Sequence, residues 1–175
     1  DYYYGTKAAS EYVIGTRSSI RNDKPIIGVY NVNSEGSSDM YYKGANMLHT
    51  LRQIIKNDDK WRQILRGLNT EFHHQTVTTK QIESYISNES GLNLEAFFDQ
   101  YLRDTRIPTL EYRLKDTILS YRWTQVVNGF EMPIEINFSR EKKWLYPTEV
   151  WQEIELNSTE IDVDIDYYIK YNKVQ

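Results

Sequence analysis

The chain contains no cysteine in its 175 residues. Disulfides, thiolate metal sites and a thiol nucleophile are therefore excluded, although this does not fix the compartment. Histidine is nearly as scarce, with three in all: His49, His73 and His74. No two of them stand at His-x-x-x-His spacing, and neighbours on a helix, such as His73 and His74, point about 100° apart. No glutamate accompanies a histidine pair in the zinc-protease pattern, so no metal site is expected in this chain. Asp162, Asp164 and Asp166 look superficially like a calcium loop. The sixth position, however, is Tyr167 and the twelfth Lys173, where an EF-hand needs glycine and glutamate. Strand alternation would instead put the three carboxylates on a solvent face. Gly-x-Ser-x-Gly and P-loop patterns are also missing. An excess of basic charge is missing too: the net charge is −4, which argues against a nucleic-acid partner. No apolar run approaches the 18 residues of a membrane span, and a soluble chain, cytoplasmic or periplasmic, is expected. It starts at Asp1 rather than methionine, which fits a processed or truncated piece.

What is present is aromatic. Phenylalanine, tryptophan and tyrosine make up 14% of the chain, with 15 tyrosines, residues suited to half-buried strand faces and cleft edges. Helical periodicity is expected over 6–20, with Gly15 as a weak point, and over 40–56, 59–74, 79–89 and 94–104. Ser38 or Asp39 is the expected N-cap of the second helix, and Asn57 to Asp59 that of the third. Thr78-x-x-Gln81 has the form of a capping box, Gly91 suits a left-handed C-terminal position, and Asn93 caps the fifth helix. Residues 22–38 read as an irregular loop, long enough to be notable. At Ile107-Pro108 the period changes from 3.6 to 2. Leu110, Tyr112 and Leu114 alternate, then Leu119, Tyr121 and Trp123. Asn128-Gly129 is a strong hairpin signal, with Phe130 to Phe138 returning. Pro133 suggests an edge strand or a bulge, Val150 to Leu156 a further strand, and Ile161 to Tyr171 the cleanest alternation of all. The expected class is α+β: a helical array over 1–106, then a small antiparallel β-sandwich over 107–175.

The stretch Ser37 to Leu48 reads as a loop entering a helix, with Tyr41 at its mouth and Gly44-Ala45 leaving little side chain beside it. Tyr41-x-Lys43-Gly44-Ala45, followed by Leu48-His49-x-Leu51-Arg52, resembles the segment after the zinc site in M1-family zinc aminopeptidases (gluzincins). Asn22 to Gly28, Val77 to Thr79, Ser90-Gly91, Phe97-Phe98-x-Gln100-Tyr101 and Ile107-Pro108 resemble the surrounding pattern in order, over about residues 1–115. The chain departs from it at Tyr101, where the family often has tryptophan, and at Arg106-Ile107, where a glycine commonly stands close before the proline.

This resemblance implies the C-terminal part of a peptidase. Residues 1–106 would end a thermolysin-like catalytic domain and 107–175 would be the following β-sandwich. The zinc and its His-Glu-x-x-His ligands would lie in the parent enzyme, outside this chain, and the fragment alone would be inactive. Tyr41 would stabilise the oxyanion formed on a peptide substrate, with Lys43, Gly44 and Ala45 as structural neighbours. A dimer through the exposed face of the truncated domain would also fit. The competing expectation is a non-catalytic helical plus β-sandwich module that binds a protein partner. A large apolar patch on the first two helices would favour truncation.

Overall fold

Local capping chemistry sets the helix boundaries. The structure is a computed structural model that describes residues 2–30, 32 and 36–175. Helix α1 spans Gly5–Gly15 and tightens into a 3₁₀ turn over Thr16–Ser19. Helix α2 spans Asp39–Ile55, α3 Asp58–Glu71, α4 Thr79–Ser90 and α5 Glu95–Phe98, the last running on as a π-turn over Asp99–Arg103. Asn57 caps α3 by accepting from the Lys60 amide at 2.9 Å. Thr78 and Gln81 form the reciprocal capping box of α4, and Gly91, at φ 75°, closes that helix in the left-handed region. Asn93 accepts from the Glu95 amide at 3.3 Å, ahead of α5.

Seven short strands follow: β1 Thr109–Lys115, β2 Ile118–Thr124, β3 Ile134–Phe138, β4 Glu141–Leu145, β5 Gln152–Glu155, β6 Asp162–Val163 and β7 Lys170–Lys173. They form a four-stranded sheet, β5-β2-β1-β7, and a three-stranded sheet, β4-β3-β6. The class is α+β, as expected, and the pairings are antiparallel except β1 with β7, where Thr109 lies opposite Lys170 in parallel.

Three expectations about the strands are corrected. Asn128-Gly129 does turn the chain, but it joins two different sheets. β2 and β3 do not pair, and at the turn only Gly129 has positive φ (76°), whereas a type I′ hairpin needs it at both positions. The type of hairpin sought there occurs at Ser139-Arg140, both at positive φ, between β3 and β4. Pro133 lies just outside β3, which is the central strand of its sheet, so it removes no ladder bond. The alternation over 161–171 is not one strand. Its ends sit in different sheets as β6 and β7, with a turn between them.

One apolar cluster runs through both parts. Leu51, Ile64, Phe98 and Tyr101 from the helices join Leu110, Trp123, Ile134 and Ile136 from the strands, all essentially buried. Polar stitches reinforce the junction. Gln100, fully buried in the π-turn, accepts from the Val127 amide at 2.6 Å and donates to the Arg106 carbonyl at 2.8 Å. Tyr101 donates to the Tyr168 carbonyl at 2.8 Å, at the position where the resemblance often has tryptophan. Trp123 donates its indole N–H to the Met132 carbonyl at 3.0 Å. Among the described residues no helix is long and apolar enough to cross a membrane.

Candidate functional site

The first two turns of α2 carry the sequence-derived site. Tyr41 stands out from the first turn, 69% exposed, and its hydroxyl makes no hydrogen bond to any described residue. Met40, Tyr42 and Leu48 are exposed on the same helix. Tyr12 on α1 and Tyr2, Tyr3 and Tyr4 before it, the first two edge to face, extend the set of exposed aromatics. Helix α1 itself buries no residue fully. Gly44 is half-exposed beside Tyr41, and a Cβ there would meet nothing within 4 Å. Among the described residues no other backbone uses the room that Gly44 leaves, so that side of the turn is open. Ala45 is exposed as well.

Lys43 is different. It is 1% exposed, and its ammonium donates to the Asp104 carbonyl at 2.8 Å, tying α2 to the segment after the π-turn. Burial lowers its pKa below the ordinary lysine value, with the charges of Asp39 and Asp104 opposing that shift. Asp104 is itself held below the usual carboxylate range, chiefly by the side-chain hydrogen bond from Arg106.

Ser38 stands at the N-cap of α2, as expected, but makes no side-chain capping bond. The first-turn amide of Asp39 is instead met by Ser37, one residue before the N-cap, whose hydroxyl oxygen accepts from it at 3.2 Å. The Asp39 carboxylate, also 1% exposed, turns away from the helix and accepts from the Arg21 and Asn22 amides at 3.0 and 2.7 Å. Asn22, at φ 50°, passes the connection on by donating to the Tyr168 hydroxyl at 3.0 Å. The sequence did hold a signal for this. Stepping back four residues at a time from Met47, the apolar stripe of α2 lands on Lys43 and then Asp39, charged residues at core positions.

The histidines and the acidic run fall as follows. His73 and His74 lie exposed just beyond α3, ring centroids 3.9 Å apart. His49 is buried on α2, its Nε2 3.0 Å from Asp166 Oδ1. The Asp166 amide in turn donates to Asp164 Oδ1 at 2.9 Å. Asp166 is therefore not on the solvent face of a strand as expected but in the turn between β6 and β7, facing a helix. Among the described residues no group of three or more His, Asp or Glu is placed to hold a metal. The loop before α2 is tacked to the helices by a bond from the Ile27 amide to the Leu102 carbonyl at 2.9 Å; residues 31 and 33–35 of that stretch lie outside the described residues.

No protein-family model and no curated protein match this chain. Among solved structures it is similar to Legionella pneumophila aminopeptidase A, crystallised in complex with aspartic acid. The TM-score is 0.59 and the sequence identity 16%, over 94% of this chain and 23% of that one. At this identity the likeness shows the fold. The matched share exceeds either 1–106 or 107–175 alone, so it takes in helices and strands together. The chain spans less than a quarter of that enzyme's length.

Proposed function

We propose that this chain is the C-terminal part of an M1-like zinc aminopeptidase that removes N-terminal residues from peptides, with Tyr41 supplying an oxyanion-stabilising hydrogen bond. On this reading residues 1–106 end the catalytic domain and 107–175 form the β-sandwich that follows. The observation that carries it is the first turn of α2: a tyrosine aimed into open space from a turn anchored by buried Lys43, in a chain whose fold matches part of an aminopeptidase.

The chemistry asked of Tyr41 is limited and specific. A phenolic O–H is a hydrogen-bond donor, and one aimed where charge develops on the scissile carbonyl favours the transition state over the ground state. Among the described residues His49 lies apart from the adjacent His73 and His74, and no group of three or more His, Asp or Glu is placed to hold a zinc ion. The metal and the catalytic base are assigned to residues beyond this chain, and Lys43, Gly44 and Ala45 shape the turn without touching substrate.

The exposed aromatics on and before the first two helices support a face that another part of a longer protein covers. In the isolated chain the same face would favour self-association. These aromatics also carry the alternative, a binding module that uses them for a protein partner. Metal analysis and an aminoacyl-anilide assay on this chain and on the longer protein separate the two. Zinc and turnover in the longer protein, with neither in this chain, support the peptidase reading. Zinc or turnover in this chain alone overturns the assignment, and a longer protein that is inactive and metal-free favours the module.

A further inference from the structure

Two buried charges bracket Tyr41 on its own helix. Asp39 precedes it by two residues and Lys43 follows it by two, so the pair stands at i,i+4 on one face. Tyr41, about 200° around the helix from each, is directed to the opposite side. The two charges hold different neighbours. Asp39 grips two consecutive backbone amides, Arg21 and Asn22, and Lys43 grips the Asp104 carbonyl. The turn that carries Tyr41 is thus fixed on its inner face at both ends.

We infer that Asp39 and Lys43 are positioning residues that set the direction in which Tyr41 leaves α2; the inference rests on the catalytic reading of Tyr41 above. Burying two charged groups on a helix stripe where Met47 and Leu51 continue as apolar residues is a demanding way to pack a helix, and apolar residues of similar volume can pack such sites at least as stably. What apolar residues lack is direction. A carboxylate that accepts two amides and an ammonium that donates to one carbonyl define the rotation and height of the turn, where hydrophobic contact permits sliding. A displacement of about 1 Å at a reacting group is enough to lower a rate about 10²-fold. Through Asn22 the clamp also reaches Tyr168, next to β7, so the strand part of the chain supports the same turn.

The test uses Asp39→Asn and Lys43→Met, each alone and combined with Tyr41→Phe. In this chain, Asp39→Asn leaves one carboxylate oxygen's worth of acceptor for two amides. Exchange at the Arg21 and Asn22 amides is expected to quicken about tenfold, with the α3 and α4 amides unchanged. In the longer enzyme, each single variant is expected to lower kcat about 10- to 100-fold, with KM and zinc content nearly unchanged. In the Tyr41→Phe background neither should lower kcat further, because a group that acts by aiming a hydroxyl has no effect once the hydroxyl is gone. Equal losses with and without the hydroxyl overturn the inference and leave the reading of Tyr41 intact. A Tyr41→Phe enzyme with undiminished kcat overturns both. Should Asp39→Asn fail to fold, Lys43→Met carries the same comparison.

Discussion

His49 Nε2 on α2 and Asp166 Oδ1, in the turn between β6 and β7, lie 3.0 Å apart and 117 residues apart in sequence. They are the centre of a short lattice that holds this turn against the helices. Arg17 donates to the Ile165 carbonyl at 2.8 Å and, through Nε, to Asn46 Oδ1 at 2.7 Å. Thr50 accepts from the Tyr168 amide at 2.8 Å, and Tyr101 donates to the Tyr168 carbonyl. Burial lowers the Arg17 pKa below its ordinary value, opposed by the nearby tyrosines and Asp166, but the group stays charged. The turn makes its contacts with helix side chains because its flanking strands belong to different sheets.

Asp166→Ala should destabilise the chain by about 1–3 kcal/mol, since it leaves buried His49 without its carboxylate, and His49→Ala should also destabilise it, though the Asp166 it leaves behind keeps some solvent. The double variant should lose less than the sum, with a coupling of about 0.5–3 kcal/mol. Urea titration of the four proteins measures this. Strictly additive losses would mean that the two side chains do not interact in solution. Because the lattice joins helices to strands, fluorescence and far-UV dichroism should also report one shared transition.

Acid sensitivity should track Glu135. Burial pushes its carboxyl pKa up, but the hydrogen bonds from Lys56 and Lys142 outweigh that, and the net shift is downward. A group whose pKa is lower folded than unfolded contributes stability above its unfolded value, and loses it as pH falls through the folded value. Stability should therefore decline as pH drops below about 4.5, the ordinary glutamate range. Glu135→Gln should be less stable at neutral pH and show a shallower decline over that interval. An unchanged acid limb would assign it to other carboxylates, with Asp104 the first to consider.

Tyr41→Phe should leave the stability of this chain within about 0.5 kcal/mol, since the side chain is exposed and its hydroxyl unbonded here. On the proposed peptidase reading, the same change in the longer protein should lower kcat about 10²–10³-fold with zinc content unchanged. A fall of less than about threefold would remove the oxyanion role.

Gly44→Ala separates an uncovered face from a covered one. In this chain the added methyl meets nothing, and helix propensity favours alanine by up to about 1 kcal/mol, so a slightly raised Tm is expected. On the proposed peptidase reading, the site in the longer protein faces substrate or an adjoining segment, and there the same methyl should impair kcat/KM. Indifference in both settings would count against a crowded site at this turn.

Much of the helical part was legible from the residues alone. Gly91, Asn57 and the Thr78–Gln81 box are local devices whose partners lie within four residues, so the sequence contains both halves of each. The candidate site was half legible. Tyr41 and its exposure on a first turn follow from pattern and resemblance. The Asp39 clamp does not, because its partners are amides 17 and 18 residues upstream in an irregular loop. Strand β4, Glu141–Leu145, escaped notice because its charged run, Glu-Lys-Lys, hides the alternation, and its hairpin uses Ser139 and Arg140 where glycine or asparagine signals the turn.

The sequence by itself determined the helices, the change of period near residue 107, the α+β class and the faces that seek cover. Tertiary structure decided which strands meet: that β7 joins β1 in parallel, that 161–171 divides between two sheets, and that Asn128-Gly129 crosses from one sheet to the other. The physical reason is that alternation states which side of a strand is apolar and leaves open which edge it will pair with. Edge partners are chosen by the free N–H and C=O groups left once the whole core has closed around Leu110, Trp123, Ile134 and Tyr101.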